Sequence, residues 1–173
     1  VETVLHTAPE NAHVLDLGTG CGAIAIAIAH ERPDLKVTAT DYSPGPLAVA
    51  RSNAQRLQVN VAFIVSNWFS KLTGQWDIIV SNPPYVGIED VHLENLQYEP
   101  RAALVSGPTG LDDLTQIVVA APRHLHNGGV LVIEHGYNQG TAVRGLFATA
   151  GLEQIETRRD LGNNERMTYG YWR

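Results

Sequence analysis

The sequence predicts an α/β domain with a doubly wound, mostly parallel sheet. Short β-type runs alternate with longer helical stretches along most of the chain, and a glycine-rich turn follows the first of those runs. The last two β-type runs have only a turn between them, which adds an antiparallel hairpin at the end.

The elements follow in order. "HVLDLG" (13–18) is the first strand and "AIAIAIAHE" (23–31) the first helix after it. "KVTATD" (36–41) is a strand, followed by a helix over 43–57 with Ser43 as N-cap and Pro44 in its first position. "VAFIV" (61–65) and "WDIIVSN" (76–82) are strands. "GLDDLTQIVVAAPRHL" (110–125) is helical, bent or broken at Pro122, which lacks the N–H that a helix needs. Strands are expected over 129–136, 152–160 and 166–172, with a helix over 139–150 and the turn-rich "LGNNE" closing the hairpin. Residues 86 to 109 form a long irregular stretch, of the kind that is usually functional in a compact domain. The opening "VETVLHTAPENAH" reads as the end of a helix without a capped start, so the chain is expected to be part of a longer protein.

Composition bounds the rest. A length of 173 residues with 44% hydrophobic and 17% charged residues fits one soluble domain spanning 1–173. No apolar run reaches the roughly 18 residues of a membrane span. A single cysteine, Cys21, excludes an internal disulfide framework and is compatible with the cytosol; a cytoplasmic location and a monomeric state are the expectations. The net charge of −6 disfavours stable nucleic-acid binding, although Arg158, Arg159, Arg166 and Arg173 could form a local basic face.

"VLDLGTGCGA" (14–23) places Gly18, Gly20 and Gly22 where a nucleotide-like ligand approaches a doubly wound sheet. Gly18, Gly20 and Ala23 also satisfy the dinucleotide pattern G-x-G-x-x-G/A. Asp41, at the end of the second strand, could accept hydrogen bonds from the ribose hydroxyls of either cofactor type. Asp16 discriminates between the two: an acid before the loop suits the sulfonium and ammonium of S-adenosylmethionine (AdoMet) better than a pyrophosphate. Cys21 is a small filler, with no histidine nominated to activate it.

"IIVSNPPYVG" (78–87) stops a core strand with an asparagine and two prolines. The residue before a proline is held extended, and prolines offer only carbonyl oxygens. The Asn82 side-chain carbonyl and the Pro83 backbone carbonyl can therefore receive both hydrogens of a planar –NH2 group. Tyr85 supplies an aromatic face beside them. Such a corner suits methyl transfer to an amide or exocyclic amine, whose delocalised lone pair must be aimed.

"DLGTGCG", "NWF", "SNPPY" and the tail "RRDLGNNERMTYG" resemble the protein-glutamine N5-methyltransferases that act on peptide chain release factors (the HemK/PrmC family). The segments 98–112 and 131–140 strengthen the likeness, which covers essentially the whole chain. The resemblance implies the Rossmann-like seven-stranded AdoMet-dependent methyltransferase fold, with its last strand antiparallel. It implies AdoMet contacts from Asp16, Gly18, Thr19, Gly20, Cys21, Gly22, Asp41, Tyr42, Asn67, Trp68 and Asn82. Trp68 would lie near the adenine. Asn82, Pro83, Pro84 and Tyr85 would hold the target glutamine, with Asn82, Pro83 and Tyr85 carrying the catalysis. The implied partner is a bacterial release factor, at the glutamine of its Gly-Gly-Gln loop. Two departures stand out: Asn67 replaces the family's usual acid, and the family's N-terminal helical docking domain is missing from the sequence. Glu134 and His135 match the family pattern without an assigned step, and Glu99 and Arg101 could shape the substrate lip.

The rival readings are an adenine amino methyltransferase on DNA or RNA, a ribosomal-protein glutamine methyltransferase, a dinucleotide oxidoreductase and a non-catalytic AdoMet-binding module. The seven histidines compose no recognisable metal set, and Asp112 and Asp113 are read as helix-dipole partners.

Overall fold

Alternating hydrophobic faces build one sheet covered on both sides. The computed structural model describes residues 1–90, 93 and 100–173, so Glu99 and part of the long loop lie outside the described residues. In chain order the elements are α1 (Glu2–Thr7), β1 (His13–Leu17), α2 (Ala23–Glu31), β2 (Lys36–Asp41), α3 (Pro44–Leu57), β3 (Val61–Val65) and β4 (Trp76–Ser81). Then come α4 (Asp112–Ala120), β5 (Leu125–Glu134), α5 (Gly140–Thr149), β6 (Glu153–Arg159) and β7 (Glu165–Tyr171). The sheet order is β3-β2-β1-β4-β5-β7-β6. β1 to β5 are parallel, and β7 is antiparallel to both β5 and β6. The closing hairpin is present as expected, and its second strand inserts beside β5 while its first takes the edge.

Side-chain alternation along the strands divides the core. Leu15, Leu17, Ile79, Leu131 and Ile133 pack on one face with Leu114, Ile117 and Val118 of α4 and Val143 and Phe147 of α5. Val14, Val37, Ile78, Val80 and Val132 pack on the other with Ala25 and Ile28 of α2. The period-two run "AIAIAIA" still forms a helix: Ile26 and Ile28 are both buried, because an apolar helix lying under neighbours need not be amphipathic.

Two boundaries bear on the sequence expectation. α4 ends at Ala120 and tightens into a 3₁₀ turn over Ala121–His124 around Pro122, so the break expected at that proline is present. β5 begins at Leu125, four residues before the expected 129, with a register irregularity opposite Trp76 and Ile78. A third point corrects the cap. Ser43 occupies the N-cap position of α3, but its side chain makes no capping bond; its backbone N–H donates to Asp41 Oδ1 at 2.9 Å instead.

The β1–β4 pairing sets Leu17 opposite Ser81, and Ser81 Oγ donates to the Leu17 carbonyl at 2.8 Å. The glycine loop and the Asn82 corner therefore leave the sheet side by side. Among the described residues no helix is long and apolar enough to cross a membrane, and no group of three or more His, Cys, Asp or Glu is placed to hold a metal ion.

Candidate functional site

A cavity of about 510 Å³ opens at the carboxyl ends of β1, β2 and β4. Gly18, Gly20, Asp41, Tyr42, Asn67 and Trp68 line it, and so do Asn82 and Pro84. Eight of the sequence-predicted cofactor and substrate residues thus meet at one place, while Asp16, Thr19, Cys21, Gly22, Pro83 and Tyr85 are not part of its lining. Ser43, Pro46, Ser66, Pro100, Ala103 and Asp113 also line it and were not predicted.

The loop is built around two carboxylates. Asp41 Oδ2 accepts from the Gly20 N–H at 3.0 Å, and Oδ1 accepts from the Ser43 N–H. These bonds hold the acid at the cavity wall with acceptor capacity to spare. Asp16 lies beneath the loop, fully buried, and does not reach the wall. Its Oδ2 accepts from Thr19 Oγ1 at 2.6 Å and from the Ala25 N–H at 3.2 Å, while Oδ1 has no partner. Burial pushes its carboxyl up to about 6, against the opposing pull of those two hydrogen bonds. Thr19 and Gly22 are buried with it, and Cys21 is exposed on the loop; none of the three lines the cavity.

Trp68 stands against the loop. Its φ of 44° is left-handed, a conformation that costs a non-glycine residue roughly 1–3 kcal/mol. Ser66 helps to hold it there, donating to the Trp68 carbonyl at 2.8 Å and accepting from the Lys71 N–H. The indole Nε1 donates to Asp113 Oδ1 at 3.2 Å. At Gly18 a Cβ would lie 3.0 Å from the Trp68 ring, so glycine there admits the indole. Asp113 is in the first turn of α4, consistent with the helix-dipole reading, and the fold gives it this second contact.

Asn82 is exposed at the mouth, and no described residue hydrogen-bonds its side chain. Pro83 is buried beneath it. Tyr85 lies instead on the wall of a neighbouring cavity of about 380 Å³, with Gly136, Gln139 and Arg166. Its hydroxyl donates to Glu134 Oε1 at 3.3 Å. Burial raises both the Tyr85 phenol and the Glu134 carboxyl above their usual ranges.

His135 is also explained. Burial lowers its imidazole below the ordinary value, favouring the neutral ring. The Gly136 carbonyl can only accept, so Nδ1 carries the proton toward it at 2.9 Å. Nε2 then accepts from Thr168 Oγ1, which accepts from Thr157 Oγ1, which accepts from Arg144. This chain braces the turn after β5. Arg101 is exposed in a 3₁₀ turn and is not among the residues lining either cavity.

Residues 2–103 match the model of the methyltransferase small domain family. The chain belongs to that family. Among relatives of this methyltransferase small domain, the release factor glutamine methyltransferase of Salmonella typhimurium is 49% identical over 175 residues, covering 98% of this chain and 63% of the relative. The Pseudomonas aeruginosa protein of the same name is 52% identical over 177 residues, covering 99% and 64%. The chain thus spans a little under two thirds of the curated relatives it matches. Among solved structures, the ribosomal protein L11 methylase of Lactobacillus delbrueckii superposes with a TM-score of 0.73 at 21% identity, covering 98% of this chain and 75% of that one. The Thermus thermophilus 16S rRNA N2 G1207 methyltransferase, solved with AdoMet and guanosine, gives 0.74 at 19%, covering 99% and 40%. At these identities the likeness is one of fold, and the methyltransferase architecture expected from the sequence is present.

Proposed function

We propose that the chain is an AdoMet-dependent methyltransferase that modifies the side-chain nitrogen of a protein glutamine, with the Gly-Gly-Gln glutamine of a bacterial release factor as acceptor. The observation that carries this reading is Asn82: a carboxamide with no hydrogen-bond partner among the described residues, at the mouth of an acid-lined cavity and followed by two prolines. The names of the relatives support the choice of acceptor.

The residues present fit AdoMet. Asp41 and Asp113 line the cavity, and no Lys or Arg does among the described residues. A pyrophosphate would meet two carboxylates with no compensating cation there, whereas a sulfonium cofactor brings no phosphate. The orphaned Asp16 Oδ1 beneath the loop adds further negative character. Asp41 would hold the ribose hydroxyls, and Trp68 and Asn67 would border the base. AdoMet would supply an electrophilic methyl group on sulfur.

The protein's task is aim. The two amide hydrogens of the glutamine are taken by Asn82 Oδ1 and the Pro83 carbonyl. Held at both, the nitrogen turns its lone pair toward the donor, and positioning lowers the barrier without a covalent nucleophile. AdoMet held by Asp41, Asn67 and Trp68 would supply the methyl group in exchange for its S–C bond. The glutamine nitrogen, held by Asn82 and Pro83, would give up one proton to water, because a methylated amide cation is strongly acidic. Tyr85, kept neutral and bonded through its hydroxyl to Glu134, anchors the chain just beyond the corner.

Mass spectrometry of a bacterial release factor incubated with this chain and AdoMet tests the reading. One added methyl on the Gly-Gly-Gln glutamine, absent with Asn82→Ala, is expected. Methylation of adenine in DNA or RNA, with none on the release factor, would replace this reading with the nucleic-acid one.

A further inference from the structure

The Asn82 corner has little to hold it in place by itself. Pro83 and Pro84 have no N–H to donate, so its position depends on what grips its two ends. One end is Ser81, bonded to Leu17. From the other end we infer that Gln139, which lies in the 131–140 segment and was given no role there, is a positioning residue for the corner; the inference rests on the reading of Asn82 and Pro83 as the acceptor site.

Gln139 is buried and its carboxamide makes three hydrogen bonds, with both N–H donors used. Nε2 donates to the Tyr85 carbonyl at 2.9 Å and to the Thr109 carbonyl at 3.2 Å. Oε1 accepts from the Gly136 N–H at 2.8 Å. The amide orientation is forced, since a flip would set oxygen against two carbonyls and nitrogen against an N–H. One side chain therefore ties together three segments: the chain leaving the corner, the loop returning to α4, and the turn after β5. That turn is itself fixed by His135 through the Gly136 carbonyl. Gly110 leaves the space: a Cβ there would run into the Tyr85 carbonyl. Beyond Tyr85 the chain lies along the returning loop, with Val86 N–H donating to Leu104, Ser106 N–H to Val86 and Ile88 N–H to Gly107. Gln139 closes this pairing at the end nearest Asn82.

A displacement of about 1 Å at a reacting group can cost on the order of a hundredfold in rate. Gln139 thus acts on turnover through the Pro83–Tyr85 backbone, and the AdoMet cavity, which it does not line, is left alone.

Two variants separate its bonds. Gln139→Glu keeps the acceptor for Gly136 and removes the donors, while Gln139→Met removes both functions at similar size. With release factor as substrate, kcat is expected to fall at least tenfold in each, with the AdoMet Kd within about threefold of wild type. Amide exchange at Val86, Ile88 and Ser106 is expected to quicken at least tenfold without cofactor, with the β1 and β4 amides unchanged. Unchanged exchange in a folded variant would overturn the clamp, and faster exchange with wild-type kcat would overturn its positioning role. Should neither variant fold, the Gln139 side-chain NH2 of the wild type decides: slow proton exchange supports the clamp, and the fast exchange of a free glutamine refutes it. A wild type inert on the release factor would sink the acceptor assignment, while the exchange measurements would still judge the clamp.

Discussion

The Trp68 indole donates a hydrogen bond to Asp113 across 45 positions of sequence, from the loop after β3 to the first turn of α4. The bond steers an aromatic wall of the cavity whose backbone is already in a left-handed conformation. Asp113→Ala should free the indole and weaken AdoMet binding about five- to tenfold, in line with the roughly 1 kcal/mol of a typical hydrogen bond. Asp113→Asn, which keeps an acceptor, should retain most of the affinity. Calorimetric titration of the three proteins checks this, and equal affinities would remove Asp113 from the site.

Gly22 and Gly20 give a paired test of the loop. At Gly22, with φ of 87°, an added Cβ would lie 2.8 Å from Ile26 Cδ1 and 3.0 Å from Ala50 Cβ. At Gly20, with φ of 56°, nothing lies within 4 Å. Gly22→Ala should therefore cost about 2–4 kcal/mol from crowding plus left-handed strain, and Gly20→Ala about 1 kcal/mol from strain alone. Urea unfolding of both would show the order, and a reversal would refute the packing argument.

Asp16 predicts a pH dependence of stability. Its carboxyl is raised from 3.8 to about 6 by burial, so in that window the folded state binds more protons than the unfolded one. Stability attributable to Asp16 is therefore full below about pH 4, declines as pH rises toward 6, and is flat above. The total change is about 3 kcal/mol. Asp16→Asn should remove this slope, so the difference between the two stability curves over pH 4–7 isolates it. Parallel curves would mean that Asp16 titrates normally.

Asn82 predicts a graded series. Asn82→Ala should lower kcat at least a hundredfold, comparable to removing a preorganised polar group elsewhere in catalysis. Asn82→Asp still accepts hydrogen bonds and should fall between Ala and wild type. AdoMet affinity should change only a few-fold in either, because Asn82 sits at the mouth. A series in which affinity falls with kcat would make Asn82 a cofactor residue first.

Much of the site was legible because its chemistry is carried by local words. The glycine turn, Asp41 and the Asn82–Pro83–Pro84 corner each have backbone requirements that few residues meet. The strand alternation then places them at one sheet edge, since parallel strands end together. Tyr85 was legible as an aromatic at the corner, but whether it faces the main cavity or the next depended on Glu134 and Gln139, which are far along the chain. Asp16 was read as an acid by the ligand, and packing against Ala25 of α2 put it under the loop instead. Ser43 shows the same limit at short range: its position at the helix start was readable, and its choice of Asp41 over a capping bond was not.

Short-range patterns alone were enough for the class of fold, the family and eight of the fourteen residues that line the main cavity. These depend on periodicity, proline and glycine geometry, and short motifs, all of which act over a few residues. The tertiary structure decided which of those residues face the cavity and what holds them. Asp113 reaches Trp68, Gln139 grips the Tyr85 and Thr109 carbonyls, and His135 steadies Gly136. Each of these is a hydrogen bond between segments brought together only by sheet order and burial, and a buried polar group must find its partner wherever the fold delivers one.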